Sequence, residues 1–327
     1  MTLLYRYKGN PILTPDKKKK WEAGAVFNCC VIEDNGVFHM LYRAVASGFR
    51  RLPNGWVENY VSSIGHAVSK DGIHFKKDSM PLIKPEYAWE NFLGCEDPRV
   101  TKIGDTFYIF YTAVSKEKNT PKARVRIALA TTKYFRRIKK HGIVGPDEKS
   151  KAAILFPEKI DGKYVMFFTL YSDSPVSHVA VAEFSSLQDL TRPPKSYWHN
   201  FLKNEKAKQI LPTIPSAYRG PEVGAPPIKT KHGWLLIYCG ASTKREWVIN
   251  AVLFNLKDPK KVIGTIQRPI LKPEKRYEKI GFVPNVTFPS GAVIVGKKLF
   301  VYYGAADEVC CLAIGSVNDL LQKLLEK

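Results

Sequence analysis

The sequence predicts an all-β fold, a five-bladed β-propeller with a short C-terminal helix, that occupies residues 1–327 as a single domain. The first observation is a repeat. Five segments share one pattern, a Gly-containing turn, an apolar and aromatic run of strand length, and then small or polar residues. They are NGVFHMLYRAV, GDTFYIFYTAV, DGKYVMFFTLY, HGWLLIYCGAS and GKKLFVYYGAA. Their equivalent aromatic positions are Tyr42, Tyr111, Phe168, Tyr238 and Tyr303, at nearly regular intervals of 57 to 70 residues.

The second observation is that another strand-like run follows each repeated segment. These runs are SSIGHAVS, RVRIALAT, SHVAVAEF, WVINAVLF and CCLAIGS. Each repeat is therefore at least a β-hairpin, with room for further strands. Isolated sheets of this size cannot bury their faces, whereas radial stacking protects faces and edges. A β-sandwich is the main alternative, but it gives no reason for five copies.

The end of the chain differs from the repeats. The tail SVNDLLQKLLEK carries Leu320, Leu321, Leu324 and Leu325. This spacing places the leucines on one face of a helix. The sequence therefore predicts a C-terminal helix that packs outside the propeller.

Composition and charge exclude several classes of protein. Hydrophobic residues make up 45% of the chain and aromatic residues 12%, which indicates a large folded core. The formal net charge of +21 first suggests a nucleic-acid partner. However, the basic residues are mostly spread along the chain, apart from Lys17 to Lys20 and a group from Arg136 to Lys140, and no nucleic-acid-binding motif accompanies them. We expect a basic surface that aids solubility and no nucleic-acid partner.

The sequence gives no sign of a membrane segment, a secretory signal or a metal site. No apolar run approaches the length of a membrane span, so the expectation is a cytoplasmic protein. The six cysteines lack the spacing of a zinc site and fit a reducing compartment. Homo-oligomerisation is left open.

Charged residues stand near the ends of the repeated strands, where a propeller presents side chains to its central cleft. Arg43 and Asp307 are two of these, and unpaired charges there would be costly in a purely structural strand. The stretch GCEDPRV adds Asp97, Pro98 and Arg99. Because proline restricts the residue before it, a turn at Asp97 is expected, with Arg99 able to pair with a carboxylate in the loop. From these residues alone, a charged turn and an active-site acid both stay open.

These motifs, taken together, resemble glycoside hydrolase family 130, the β-mannoside phosphorylases and mannosidases. The matching blocks are FN at 27–28, LYRA at 41–44, SIGHAVSKDGIHF at 63–75, EDPR at 96–99, AILFPEKIDGKYVMF at 153–167, APPIKTKHGWLLIY at 225–238, DPKKVIG at 258–264 and VYYGAAD at 301–307. The resemblance runs along nearly the whole chain, and the family fold that it implies is a five-bladed propeller.

The resemblance implies roles for individual residues. Asp97 matches the general acid, which is thought to act through the 3-hydroxyl of the mannose with inversion at the anomeric carbon. Asn28, Arg43, Lys151 and Asp307 match positions that hold the nonreducing mannose.

Two further substrate-binding candidates come from their places in the sequence. Arg99 lies in the loop of the acid, and His66 could border the cleft. No metal and no cofactor are expected, and the expected partner is a β-mannoside oligosaccharide.

The remaining question is whether phosphate or water attacks the anomeric carbon. The family's phosphorylases bind phosphate with an Arg, a Lys, a His and a Tyr, and this sequence has Thr169, about Gly220, Cys239, and Trp247 or Val248 at those positions. Binding a phosphate dianion calls for several converging cations, so these losses favour water.

The sequence therefore predicts an inverting glycosidase that releases mannose from β-linked mannosides, with β-1,2-manno-oligosaccharides as the expected substrates. Glu222 is the candidate base and Glu278 a second carboxylate near the cleft, since an inverting glycosidase needs a base set back from its acid. One alternative is a β-mannoside phosphorylase that forms mannose 1-phosphate, with inorganic phosphate as co-substrate and Arg219 compensating for the lost Lys. The other is a noncatalytic sugar-binding propeller.

Overall fold

The computed structural model of the protein describes residues 2–52, 57–117, 122–172, 177–204, 217–242 and 244–326. Strands dominate this part of the chain. They are β1 Tyr5–Arg6, β2 Ala25–Asp34, β3 Val37–Val45, β4 Arg50–Arg51, β5 Val57–Glu58, β6 Ser62–Ser69, β7 Lys76–Lys77, β8 Gly94–Ile103, β9 Thr106–Lys116, β10 Ala123–Thr132, β11 Lys139–Ile143, β12 Ser150–Leu155, β13 Tyr164–Leu170, β14 His178–Phe184, β15 Ala217–Glu222, β16 Ile228–Thr230, β17 Gly233–Ser242, β18 Trp247–Phe254, β19 Val262–Thr265, β20 Thr287–Val295, β21 Lys298–Ala305 and β22 Val309–Ser316. The helices are α1 Leu187–Thr191, α2 Lys195–Lys203, α3 Arg276–Lys279 and α4 Val317–Leu325, with a short 3-10 helix at Ala88–Glu90.

The described strands form consecutive antiparallel groups along the chain. The groups are β2-β3-β6-β7, β8-β9-β10-β11, β12-β13-β14, β15-β17-β18-β19 with β16, and β20-β21-β22 with β1. The first two groups are joined by one parallel bridge between Ser62 and Gly94. The repeated sequence segments lie on β3, β9, β13, β17 and β21, which is the second strand of each group. The repeat found in the sequence therefore corresponds to a repeated strand group.

A β-bulge at the same place in every group strengthens this equivalence. The pairing of the first strand with the second shifts register between Phe27 and Cys30, Glu96 and Arg99, Lys151 and Ile154, Arg219 and Glu222, and Pro289 and Gly291. In the first four bulges one residue has a positive φ angle, namely Asn28, Asp97, Ala152 and Gly220. A bulge bends the strand and re-aims its side chains. The five bulges are thus the places where the fold can direct side chains toward a shared site.

The chain ends pack together on the last group. β1 pairs with β22, so the N-terminal strand completes the sheet that the C-terminal strands form. Leu320, Leu321 and Leu324 of α4 are buried in the adjoining core, which confirms the predicted C-terminal helix. Leu325, the fourth leucine of the predicted face, is exposed. Burying each leucine contributes roughly 1.5–3 kcal/mol. No described helix has the length and apolar character that crossing a membrane requires.

Candidate active site

Asp97 lies in the bulge of β8 and not in a turn before a strand. β8 runs through it from Gly94 to Ile103. The expected turn is therefore wrong in form, because the bulge supplies the irregular backbone inside the strand. Asp97 has a φ of 49°, a left-handed conformation that Asp tolerates better than most residues. Pro98, which lacks a donor, is placed where the ladder is interrupted and no donor is needed.

Two side chains from the first strand group bind the Asp97 carboxylate. Asn28 Nδ2 donates to Asp97 Oδ1 at 2.8 Å, and Arg43 Nη1 donates to the same oxygen at 3.2 Å. Arg43 Nη2 also donates to Glu96 Oε1 at 2.6 Å and to the Tyr60 hydroxyl at 2.5 Å. The bulges of β2 and β8 thus bring a carboxylate pair and a guanidinium into one cluster.

Asn28 fits this place because its neighbour has no side chain. A Cβ atom at Gly304 would lie only 2.3 Å from Asn28 Oδ1. Any residue other than glycine at position 304 would therefore clash with the Asn28 side chain. Asn28 Oδ1 is buried and has no hydrogen-bond partner in the described part of the chain. Buried polar atoms are normally paired. An unpaired acceptor beside Asp97 is therefore suited to a hydroxyl of a bound ligand.

Lys151 and Glu222 approach the cluster from the third and fourth groups. Lys151 Nζ lies 2.8 Å from Glu222 Oε2, and Glu222 is 1% exposed. The pair is at ion-pair distance, although among the described residues neither Glu222 oxygen has a well-directed hydrogen bond. Both residues act electrostatically on Asp307, and Lys151 also acts on Asp97. These contacts place the predicted residues Lys151, Glu222 and Asp307 in one site with Asp97.

Two of the positions that hold phosphate ligands in the family's phosphorylases, here Thr169 and Cys239, lie near Glu222. Glu222 pairs in register with Cys239, and Lys151 pairs with Thr169. The backbone nitrogen of Val223 donates to Thr169 Oγ1 at 3.0 Å. This corner of the site is thus lined by a carboxylate, a hydroxyl and a thiol. The side chain of Arg219, which the phosphorylase alternative invoked, is outside the described residues.

The carboxylates of the cluster titrate differently. Burial raises the pKa of Glu96 to about 7, with Arg43 opposing the shift and Asp97 adding to it. Burial likewise raises the pKa of Asp307 to about 6. For Asp97, burial also acts upward, but Arg43, Arg99 and the hydrogen bond from Asn28 outweigh it, so its pKa lies below the usual value. As the pH falls, Glu96 and Asp307 therefore take up protons before Asp97 does.

Arg99 supports Asp97 from inside the protein. It is 1% exposed, its Nε donates to the carbonyl of Gly224 at 2.7 Å, and its Nη1 donates to the carbonyl of Asp97 at 3.0 Å. Two of its donor groups are therefore used on the backbone. These bonds hold the bulge, and the charge of Arg99 lowers the pKa of Asp97. A role for Arg99 in binding substrate stays a prediction, for which its Nη2 has no hydrogen-bond partner among the described residues.

Glu278 does not lie with the other carboxylates. Arg6 donates to it through Nε at 2.7 Å and Nη2 at 2.9 Å, and the Tyr303 hydroxyl donates at 2.8 Å. The backbone nitrogens of Glu274 and Lys275 donate to Oε2 at 2.7 and 2.8 Å. These bonds bind Glu278 to the edge strand β1 and to the start of α3. The expectation of a carboxylate near the cleft is corrected accordingly, because Glu278 is occupied in holding these elements together.

His66 is also engaged away from Asp97. Its Nδ1 lies 2.8 Å from Asp78 Oδ2 and its Nε2 lies 3.0 Å from His39 Nδ1. Phe135 stacks on it with ring centroids 5.0 Å apart. The prediction that His66 borders the substrate is not supported by these contacts, since both ring nitrogens are used elsewhere.

Two residues of the cluster were missed from the sequence. Glu96 stands beside Asp97 in the motif, and its adjacency to a candidate acid was the signal that could have identified it. Tyr60 lies outside any motif, and nothing in the sequence connects it to Arg43. Among the described residues, no group of His, Cys, Asp and Glu is arranged to hold a metal ion, and all six cysteines are free and buried.

Comparisons with known proteins show what the whole chain is similar to. A family model described as beta-1,4-mannooligosaccharide phosphorylase, Glyco_hydro_130, matches residues 7–326. The chain is 39% identical to a 1,2-beta-oligomannan phosphorylase of Thermoanaerobacter sp. (strain X514), over 98% of this chain and 99% of that protein. It is 31% identical to a beta-1,2-mannobiose phosphorylase of Listeria innocua serovar 6a, over 98% of both chains. A solved structure of beta-1,2-mannobiose phosphorylase from Listeria innocua, in complex with beta-1,2-mannobiose, superposes with a TM-score of 0.80 at 29% identity and covers 98% of this chain and 99% of that one.

Proposed function

The chain belongs to glycoside hydrolase family 130, and we propose that it transfers the nonreducing mannosyl group of β-1,2-linked manno-oligosaccharides to inorganic phosphate. The observation that carries this proposal is the 39% identity, over 98% of the chain, to a protein named for the phosphorolysis of 1,2-β-oligomannan. The named relatives thus favour the phosphorylase alternative over the hydrolase that the losses at Thr169 and Cys239 predicted. The bond from the anomeric carbon to the glycosidic oxygen breaks, a bond to a phosphate oxygen forms, and the leaving oxygen takes a proton.

We place this reaction in a five-bladed β-propeller. The support is the set of equivalent bulges in five consecutive strand groups, together with the pairing of β1 with β22. Residues from four different bulges, Asn28, Asp97, Lys151 and Glu222, act on one another, as expected when the first strands of the blades surround one axis.

The proposed roles follow from the contacts. Asn28, Arg43 and Asp307 hold the nonreducing mannose, whose hydroxyls suit the unpaired acceptor on Asn28 and the carboxylate of Asp307. Asp97 supplies the proton to the leaving oxygen. Its pKa lies below the usual value, so it must gain a proton when substrate binds. A phosphate dianion nearby raises the pKa of a carboxylate, which gives phosphate binding a direct means of protonating Asp97.

The site contains cations that could bind phosphate, although they do not occupy the positions of the phosphate ligands in the family's phosphorylases. Arg99 and Lys151 both act electrostatically on Asp97. Arg99 Nη2 is buried and has no hydrogen-bond partner among the described residues. Lys151 keeps about a quarter of its side-chain area exposed and could turn from Glu222 to an anion.

Glu222 favours a second candidate, transfer of the mannosyl group to water. A buried carboxylate without directed hydrogen bonds repels a dianion and can accept a proton from water. An inverting hydrolase needs such a base opposite its acid. Thr169 and Cys239 beside Glu222 are neutral under ordinary conditions, and they add no positive charge for phosphate.

Product analysis with β-1,2-mannobiose, with and without inorganic phosphate, separates the two. Phosphorolysis with inversion gives α-mannose 1-phosphate only when phosphate is present, whereas hydrolysis gives mannose in both reactions. The Asp97→Asn variant should abolish either product. Turnover that needs no phosphate would overturn the phosphorylase. Mannobiose binding without any product, unchanged by Asp97→Asn, would identify a noncatalytic sugar-binding protein.

The Glu222→Gln variant gives an independent answer. If phosphate is the acceptor, removing a negative charge from its neighbourhood should leave kcat largely intact and lower the KM for phosphate. If water is the acceptor, the same change removes the base and should lower kcat by at least a hundredfold.

A further inference from the structure

A second cavity lies apart from the cluster around Asp97. It has a volume of about 850 Å³ and is lined by residues of β3, the start of β9 and the segment that follows β10. His39 on its wall precedes Arg43 by four residues on β3. At about 3.3 Å per residue this separates the two backbone positions by ~13 Å. The cavity is therefore distinct from the catalytic cluster.

The cavity is unusually rich in uncompensated positive charge. Lys133, Arg136, Arg137 and Lys139 line it and are exposed. In the described part of the chain, none of the four side chains has an ion-pair or hydrogen-bond partner. Asp34, the one carboxylate on the described lining, is bound by Lys102 Nζ at 2.5 Å. The lining thus offers four cations to an anion and no free carboxylate to oppose it.

The floor of the cavity is formed by stacked aromatic rings and presents a hydrogen-bond acceptor. Phe135 stacks on His39 with ring centroids 4.5 Å apart. His66 Nδ1 is bound to Asp78, so its Nε2 accepts from His39 Nδ1. Burial, followed by the neighbouring His66, lowers the pKa of His39 to about 4, so the ring is neutral. The remaining nitrogen, His39 Nε2, is therefore an acceptor suited to a hydroxyl group.

An aromatic side chain stands at the same cavity without a packing role. Tyr134 lines the cavity and is 78% exposed, more than any other large hydrophobic residue in the described part of the chain. Exposed aromatic rings beside cations are suited to a ligand with both a ring face and a charge.

We propose that this cavity is a second binding site for a phosphorylated sugar. The phosphate group binds Arg136 and Arg137, whose planar guanidinium groups match phosphate oxygens in bidentate fashion. The sugar ring lies against Tyr134, and a hydroxyl donates to His39 Nε2. A sugar phosphate fits better than a nucleic-acid strand, because the four cations surround one cavity and the acceptor at its floor calls for a hydroxyl. The site does not depend on whether phosphate or water acts at Asp97.

Calorimetric titration with mannose 6-phosphate tests the proposal, with mannose, inorganic phosphate and a uridine oligonucleotide as comparison ligands. The Arg136→Ala/Arg137→Ala variant should bind mannose 6-phosphate at least tenfold more weakly, and Tyr134→Ala should weaken binding severalfold. The matched control is Lys297→Ala/Lys298→Ala, which removes two exposed positive charges where the turn after β20 meets the start of β21. It should bind as the wild type does. Thermal melting of each variant confirms that it is folded.

The Asp97→Asn variant tests whether mannose 6-phosphate binds at the catalytic cluster instead. If it binds at the proposed cavity, this variant should bind mannose 6-phosphate as the wild type does. The proposal is overturned if mannose 6-phosphate does not bind, or if Asp97→Asn weakens binding and Arg136→Ala/Arg137→Ala does not. It is also overturned if the oligonucleotide binds more tightly than mannose 6-phosphate and displaces it. None of these outcomes bears on the products formed from mannobiose, so the site and the catalytic proposal can fail separately.

Discussion

Asn28 and Asp97 occupy the same structural position in two successive strand groups, and their side chains are hydrogen-bonded to each other at 2.8 Å. Each is the positive-φ residue of the bulge in the first strand of its group, with φ angles of 49°. Arg43 and Arg99 lower the pKa of Asp97 most, and the further lowering by Asn28 comes from the repeat itself. Two equivalent bulges direct an amide and a carboxylate toward the same point, where neither would project from a regular strand.

The amide of Asn28 is predicted to control the ionisation of Asp97. Replacing Asn28 with Gly removes the hydrogen bond that lowers the pKa of Asp97, and glycine adopts a positive φ without strain. Because Asp97 acts in its protonated form, we expect the alkaline limb of the pH–rate profile to move to higher pH. Loss of the contact between Asn28 and the mannose should lower kcat/KM at the optimum by about tenfold, which corresponds to ~1.4 kcal/mol. Steady-state kinetics on β-1,2-mannobiose across pH measures both.

The Asn28→Ala variant distinguishes the effect of losing the side-chain amide from the effect of straining the backbone. Alanine also lacks the hydrogen bond, but it is strained at a positive φ, so it should show the same pH shift with an additional loss of stability of roughly 1 kcal/mol. If the two variants share the loss of stability and neither changes the pH profile, Asn28 is a structural residue only.

The raised pKa values of Glu96 and Asp307 predict that the carboxylate cluster destabilises the fold at high pH. Both folded-state pKa values, about 7 and about 6, lie above the ordinary values of 4.5 and 3.8. The folded protein then holds more protons than the unfolded chain, so this contribution to the free energy of unfolding falls as pH rises from about 4 to 7.5. Burial lowers the pKa values of His39, His66 and His141, and these act in the opposite direction.

The difference in stability between the wild type and the Glu96→Gln variant measures the contribution of the Glu96 carboxylate. Glutamine is neutral at all pH values and can still accept the hydrogen bond of Arg43. Thermal melts from pH 5 to pH 8 should show that Glu96→Gln gains stability relative to the wild type as pH rises. Asp105→Asn, at an exposed turn, should show no such trend. A pH-independent difference between Glu96→Gln and the wild type would contradict the raised pKa.

The sequence predicted the repeated strands well, but it predicted only in part which side chains from different strand groups meet in the site. The repeated strands, the C-terminal helix and the clustering of Asn28, Arg43 and Asp97 could be predicted, because strand periodicity and motif blocks are local signals. The bulges could not be predicted, since a register shift depends on the pairing partner. Glu278 looked like another carboxylate of the cleft, but its bonds to Arg6 join residues that are 272 positions apart.

The Lys151–Glu222 pair is predicted to be strongly coupled. Glu222 is 1% exposed, and Lys151 is the described cation at ion-pair distance from it. Removing one partner of a buried pair leaves an uncompensated charge, so Lys151→Met should lower the free energy of unfolding by about 3–5 kcal/mol. The double variant Lys151→Met/Glu222→Gln should recover most of this loss.

A double-mutant cycle in urea at pH 7 measures the coupling, with Lys229→Met/Glu158→Gln as the exposed control. That control pair should couple by less than about 1 kcal/mol. Should Lys151→Met cost no more than the exposed control, Glu222 is not held by Lys151, and its charge must be balanced elsewhere in the site.

Glu278 is predicted to stabilise the fold without taking part in the reaction. It is fully buried and accepts hydrogen bonds from Arg6, Tyr303 and two backbone nitrogens. Glu278→Gln leaves Arg6 without its main partner and replaces an acceptor with donors, so the free energy of unfolding should fall by about 3–5 kcal/mol. Glu274→Gln is the matched control, because Glu274 binds the same Arg6 but is half exposed, and it should cost less than about 1 kcal/mol.

Turnover per folded molecule, assayed well below the melting temperature, should stay within severalfold of the wild type for both variants. A Glu278→Gln variant that is as stable as the wild type and inactive would return this carboxylate to the reaction, and the bonds that hold it at the edge of the sheet would then need another explanation.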